Sequence, residues 1–175
     1  MTRKAIINDD LNAFARWSEM MGRAAAEAEI AQLMALLLQA SGTGPVMSAD
    51  GVRLFHASHG NLASPASALS EESQSAARLA MRTMKGLDGK TPIAATPRYL
   101  LVSPELETQA EKLLTAIQPA ANDDVNPFAG RLSLLVEPRL TGNARYVFAD
   151  PAVMPVLEVA YLASAPGPQL SSRDG

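Results

Sequence analysis

His56 and His59 are the only two histidines of the chain, and they stand three residues apart as His-x-x-His. Two imidazoles aimed at one point could hold a divalent metal, but a site needs further ligands. The nearest acid is Asp50. A helical pair four residues apart with an adjacent glutamate would be a stronger signal. Here the pair follows a short predicted strand, Val52 to His56, and opens a stretch over 57–69 rich in Ser, Ala, Gly, Asn and Pro. Hydrogen bonding inside a loop is the expected role of both rings.

Other arrangements that do chemistry are weaker. Serine and aspartate are plentiful, yet no Gly-x-Ser-x-Gly elbow occurs. Gly42-Thr43-Gly44 lacks the further glycine and the lysine of a phosphate loop and follows no strand, so it reads as a helix terminator. Asp9-Asp10 and Asp123-Asp124 are paired acids whose neighbours favour caps and loops. A catalytic carboxylate pair needs a shaped cleft and a raised pKa. With no cysteine, disulfides, Cys-zinc sites and thiol catalysis are excluded. The expectation is therefore no catalytic, cofactor-binding or metal-ligating residue, and no enzyme.

The whole composition points the same way. The 175 residues carry a net charge of -3 and contain no basic block. A dedicated nucleic-acid binder needs clustered Lys and Arg to displace counterions. One Trp, three Tyr and four Phe offer few stacking platforms for single strands. No apolar run approaches the roughly 18 residues of a membrane span. Met1-Thr2-Arg3-Lys4 is basic, but Asn8-Asp9-Asp10 follows at once, where a signal peptide would be apolar.

The elements that position these residues read as follows. Ala5-Ile6-Ile7 is strand-like, and Asn8 to Asp10 can cap a helical region that runs to about Ala40. Ile30, Leu33, Met34, Leu37 and Leu38 form one apolar stripe, and Gly22 divides the region into two helices. Asp50-Gly51 is a turn. The next helix has Ser70 as its cap, Glu71 and Glu72 at the positive end, Arg82 and Lys85 at the negative end, and Gly86 as its stop. Its apolar side is Ala76, Leu79, Ala80 and Met84, and a turn follows over Leu87 to Lys90. Arg98 to Val102 reads as a buried strand entering a helix capped by Ser103, with Pro104 in its first turn. That helix repeats Leu106, Ala110, Leu113, Leu114 and Ile117. Residues 118–129 read as a loop, Arg131 to Val136 and Arg145 to Phe148 as strands, and Thr141-Gly142-Asn143 as a turn. Asp150-Pro151 opens a helical turn, and Leu157 to Tyr161 alternates like a half-exposed strand. One long helix followed by mixed elements is α+β.

Leu54-Phe55-His56-Ala57-Ser58-His59-Gly60-Asn61-Leu62 resembles the signature stretch of Mu-like phage major head subunits, which are sometimes encoded behind a Clp-like prohead protease. The resemblance extends through Ala76-Ala77-Arg78, Gly86 to Gly89, Pro97 to Val102 with Leu106-Glu107-Thr108, and Asn126 to Leu132. It includes Val136 to Leu140, Phe148 to Pro151 and Glu158 to Leu162. Ser58 stands where similar proteins carry an acid. The resemblance implies a partial Hong Kong 97-type capsid fold. Residues 1–44 would hold the long spine helix of the peripheral domain, 45–162 an axial α+β domain, and 163–175 a polar tail. Similar proteins continue from a stretch like Gly167 to Gly175 into further strands, and carry an arm and an extended loop ahead of this segment.

The function implied is a structural subunit that assembles with itself into pentamers and hexamers of an icosahedral head around the genome. Scaffold, prohead protease and portal proteins are further implied partners, with no sequence-specific nucleic-acid binding and no membrane. The subunit would be made in the bacterial cytoplasm and end in the virion. Two other readings fit the residues: a small α+β binding or regulatory module, and the non-catalytic part of a protease–capsid fusion.

Overall fold

A computed structural model describes residues 13–86, 88–115, 131–164 and 167. The expected strand at Ala5–Ile7, the caps at Asn8 to Asp10, Ile117, the loop 118–129 and most of the polar tail lie outside these residues. The chain divides into two compact units. One holds the described residues of Met1–Leu36 and Glu158–Gly175, and the other is Leu37–Leu157.

The first unit is built on α1, Ala13–Leu37, whose final residue already belongs to the second unit. The helix passes through Gly22 without a break, contrary to expectation. A glycine inside a helix costs about 1 kcal/mol, and Ala24, Ala25 and Ala26, which follow after Arg23, are the best helix formers. Of the expected stripe, Met34 and Leu37 are buried, Leu33 and Leu38 half-buried, and Ile30 exposed. Arg23 donates to Glu19 one turn earlier, at 2.6 Å on the solvent side. The expected strand at Leu157 to Tyr161 does not form. A strand requires a neighbour to take up its main-chain groups, and here the Tyr161 hydroxyl instead donates to the Glu29 carboxylate on α1.

Leaving α1, the chain makes a left-handed exit. Ala40 (φ 48°), Ser41 (φ 60°) and Gly42 (φ 86°) are consecutive residues with positive φ, and Gly44 (φ 78°) follows. Gly42 N–H donates to the Leu38 carbonyl at 3.2 Å and Gly44 N–H to that of Gln39 at 3.1 Å. These bonds satisfy carbonyls at the helix end that would otherwise lack partners. Gly42-Thr43-Gly44 is thus the terminator its composition indicated. Both glycines are also sites of close approach. A Cβ on Gly42 would lie 2.5 Å from Tyr146 Oη, and one on Gly44 2.9 Å from Leu54 Cβ.

The second unit centres on a three-stranded sheet of order β2-β1-β3, with β1 at Pro97–Val102, β2 at Ser133–Val136 and β3 at Arg145–Ala149. β2 runs parallel to β1, with Leu100 opposite Leu134 and Val102 opposite Val136. β3 is antiparallel, with Leu100 opposite Val147 and a shift of register between Pro97 and Tyr99. The crossover from β1 to β2 contains a 3₁₀ turn, Pro104–Leu106, and α3, Glu107–Leu114. Leu100, Val102, Leu106 and Ala110 form the main core with Leu69, and Leu113, Leu134, Val136 and Val147 pack around them.

Ser103 does not cap α3 as expected. It is fully buried, and its hydroxyl donates to the Gly142 carbonyl at 2.5 Å. Its N–H also reaches the Ala144 carbonyl, at 3.2 Å. A buried hydroxyl needs a partner, and the Gly142 carbonyl, in the turn that leads into β3, supplies it.

Ahead of the sheet, α2 spans Glu71–Thr83. Ser70 caps it, with Ser73 completing a reciprocal pair of hydrogen bonds. The helix ends at Thr83, three residues before Gly86. Its buried side matches the expected one only in part: Ala80 and Met84 are half-buried. Gln74 and Met81 are buried and Ala77 half-buried, whereas Ala76 and Leu79 face out. Met81 packs with Ala95 and Ala149 in a second cluster. That contact sets the rotation of the helix and turns Leu79 away. The turn after α2 is closed by Asp88, whose carboxylate accepts from the Thr91 hydroxyl at 2.5 Å and the N–H groups of Lys90 and Thr91 at 2.9 Å. These donors pull its pKa down to about 2.

Val52 to His56 makes no strand. A single antiparallel bridge joins Val46 and Arg53, around a turn at Asp50-Gly51. The turns at Thr141–Asn143 and Asp150–Met154 form where the sequence places them.

Leu100→Ala is expected to destabilise the protein by about 2–5 kcal/mol in urea unfolding. Leu135→Ala, on an open part of the same sheet, is expected to cost less than about 1 kcal/mol. Gly42→Ala is expected to cost at least about 1–3 kcal/mol from backbone strain. Part of its cost comes from the Tyr146 hydroxyl, so a double-mutant cycle should show a smaller penalty in a Tyr146→Phe background.

Candidate assembly surface

The sheet has a second face. Leu100 and Val102 of β1 point to α3, so Tyr99 and Leu101 point the other way. The register places Leu135 beside Leu101, and Tyr146 and Phe148 across from Leu101 and Tyr99. This face is apolar and aromatic. Its β3 half is covered: Phe55 packs on Tyr146 with ring centroids 5.3 Å apart, and Tyr146 stacks on Phe148 at 6.0 Å. The Tyr146 hydroxyl donates to the Gly42 carbonyl at 3.0 Å, and burial raises its pKa. The β2 half is open, and Leu135 is 46% exposed.

Phe55 is held on the sheet by the loop that carries both histidines. His59 Nδ1 lies 3.1 Å from the Leu54 carbonyl, and Nε2 lies 2.6 Å from Asp50 Oδ2. Both partners can only accept, so both ring nitrogens donate and the imidazolium form satisfies them. Asp50 accordingly raises the pKa of His59, chiefly through this hydrogen bond, and the Asp50 carboxyl is lowered in return. Asn61 donates to the same Leu54 carbonyl at 2.8 Å and accepts the His56 N–H at 2.9 Å. The Ser58 N–H donates to His56 Nδ1 at 3.2 Å, with the Ser58 hydroxyl 2.7 Å from the same nitrogen. Ser58 thus provides the local contact of the His56 ring. The rings of His56 and His59 stand 6.0 Å apart, edge to face.

The loop is a closed polar network whose two histidines have separate partners. Among the described residues no group of three or more His, Asp or Glu side chains is placed to hold a metal ion. Asp9-Asp10 and Asp123-Asp124 lie outside those residues.

A shallow hollow runs along the outer face of α2, lined by Glu71, Glu72, Ser75, Ala76, Arg78, Leu79 and Arg82. Arg145 anchors the chain ahead of α2, donating to the carbonyls of Ser67 at 2.7 Å and Ala68 at 3.2 Å.

These surfaces suit contact with another macromolecule better than small-molecule chemistry. A family model described as "Phage capsid protein" matches residues 1–175. The chain belongs to the phage capsid protein family. No curated protein and no solved structure matches it. The family is structural, its members sit in the virion, and they associate with one another in a shell. Among the described residues no helix is long and apolar enough to cross a membrane.

Sequence reasoning missed both surfaces of this capsid protein. The adjacent Leu100-Leu101 and Leu134-Leu135 pairs were the available signal, since neighbouring residues of a strand face opposite ways.

The His59 ring should titrate above the ordinary value of about 6.5, and Asp50→Asn should bring it back toward that value, as read by NMR. The raised His59 pKa gives stability that is complete below about 6.5 and lost as pH rises through the folded value. The lowered Asp50 pKa gives stability that is present above the ordinary value of about 3.9 and lost as pH falls through the folded one. The loop is therefore expected to be best protected between those limits, as measured by hydrogen exchange of the Leu54 to Asn61 amides.

Proposed function

We propose that the chain is a structural, non-catalytic subunit of the icosahedral head of a Mu-like tailed phage or prophage. The observation that carries this reading is the capsid family match along residues 1–175. On this reading the fold is part of the Hong Kong 97 type. Residues 1–44 carry the spine helix of the peripheral domain, 45–162 form the axial domain, and 163–175 are a polar tail. A fused prohead protease, where one occurs, would supply its chemistry from outside this segment.

Subunits join head to tail into pentamers and hexamers. Such heterologous contacts close into rings when the rotation allows, and they require an apolar patch that meets a different patch on the neighbour. The open β2 half of the sheet, with Leu135 and the edge of β2, supports this role. Each contact is weak and gains its strength by repetition. The net charge of -3 suits a wall that surrounds packed DNA without gripping it, because tight binding to phosphates needs many Lys and Arg. Scaffold, prohead protease and portal proteins are the further partners of such a subunit, made in the host cytoplasm and carried in the virion.

Negative-stain electron microscopy of this segment with its native flanking residues tests the reading. Rings of five or six, tubes or closed shells are expected. Dispersed, well-folded monomers across salt and protein concentration would favour a small binding module instead.

A further inference from the structure

β1 and β2 run parallel, and parallel strands are as a rule covered by helices on both faces. Their sequences fit that rule, with continuous apolar runs at Tyr99 to Val102 and Leu134 to Val136. Only one face has its layer, supplied by α3. Burial alternates along β2 accordingly. Leu132, Leu134 and Val136 are half-buried toward α3, whereas Arg131, Ser133 and Leu135 are exposed on the other side. Phe55 covers the β3 half of that side. Among the described residues nothing buries the Arg131, Ser133, Leu135 row.

α2 presents a face suited to this row. Met81 fixes its inner side against Ala95 and Ala149. On the outer side Ala76 and Leu79, the latter 64% exposed, are flanked by charge. Glu71 and Glu72 stand at the start of the helix, and Arg78 and Arg82 in its second half. The spacings of the two patches agree. Glu72 to Leu79 is about 10 Å of helix, and Arg131 to Leu135 is about 13 Å of strand. A helix laid along β2 with its acidic end at Arg131 therefore brings Leu79 to Leu135. Arg78 then lies on the helix flank beside Leu135. Arg82 reaches the level of the Glu137–Arg139 ion pair, whose charges balance. The reverse direction would set Arg78 and Arg82 against Arg131.

We propose that the outer face of α2 of one copy docks on the Arg131, Ser133, Leu135 row of the next copy, completing the missing helix layer over β1 and β2. A chain cannot do this for itself, because its own α2 packs on Val147 and Ala149, on the α3 side of the sheet. Two different patches on opposite sides of one unit make a heterologous contact, which closes into a ring when the rotation allows. The inference rests on the capsid reading and deepens it, by naming the contact that joins subunits within a ring. α2 has 13 residues, about 20 Å of helix. A single helix of that length buries less than the roughly 1,200 Å² of a standard stable interface, so the contact is weak and acts by repetition.

Crosslinking of the chain with its native flanking residues tests it, since the sequence given has no cysteine to interfere. Leu79→Cys chains mixed with Leu135→Cys chains should give mixed dimers with a short bismaleimide, in excess of either variant joined to itself. Charge exchange gives an independent readout, with self-association followed by sedimentation velocity. Arg131→Glu and Glu72→Arg are each expected to weaken it about fivefold, more at low salt. The double variant should recover to within about twofold of the parent. Both positions are exposed, and thermal unfolding checks that the fold is retained. Random crosslinking, single charge variants that associate normally, or a double variant that does not recover would overturn the proposal. So would a chain with both cysteines that closes the link within itself. Rings or shells unchanged in every variant would remove this contact and leave the capsid reading standing. A parent chain that never associates would remove both.

Discussion

Both sheet ladders run through β1, because β2 and β3 each pair with it and not with each other. The strand does this while burying Leu100 and Val102 completely against α3. Its last residue leads directly into Ser103, whose hydroxyl and N–H hold the turn that feeds β3. One short segment thus sets the position of two strands, a helix and a turn. Main-chain groups removed from water must be paired, so movement of this strand would strand donors and acceptors on both sides at once. The rest of the second unit is arranged around that constraint.

The loop from Asp50 to Asn61 depends on the same strand at one remove. It converts a sequence with little regular structure into a support for Phe55, which closes half of the sheet's second face over Tyr146. The Leu54 carbonyl is the shared acceptor of His59 and Asn61. The hydrogen bonding expected of the two histidines thus serves as a brace. The bracing leaves Leu135 exposed on the β2 half, which divides the face into a covered part and an open one.

Much of the fold was legible because its signals are local. Ser70 before Glu71-Glu72 marks a helix start whose hydrogen bonds involve nearest neighbours. The paired glycines after Ala40 mark a helix end, and the apolar run at Tyr99 to Val102 marks the central strand. What was not legible depends on distant partners. Ser103 has the sequence context of a cap, yet its partner lies in the turn at Gly142. Leu79 has the residue type of a core position, but Met81, packed with Ala95 and Ala149, decides how α2 is rotated. Leu157 to Tyr161 alternates as a strand should, yet among the described residues no strand lies beside it. The assembly surfaces were hidden for the same reason, since exposure is settled by packing and residue type alone does not report it.

The division of the chain has a consequence for how the protein comes apart. The polypeptide leaves the first unit at Leu36 and rejoins it at Glu158, so the second unit is an insertion tethered at both ends. While the first unit stays folded, an unfolded second unit is a closed loop with fewer conformations than a free chain. The tether therefore favours refolding without contributing a contact. A cut in the returning segment near Tyr161 would release the loop and weaken a sheet whose every hydrogen bond remained intact.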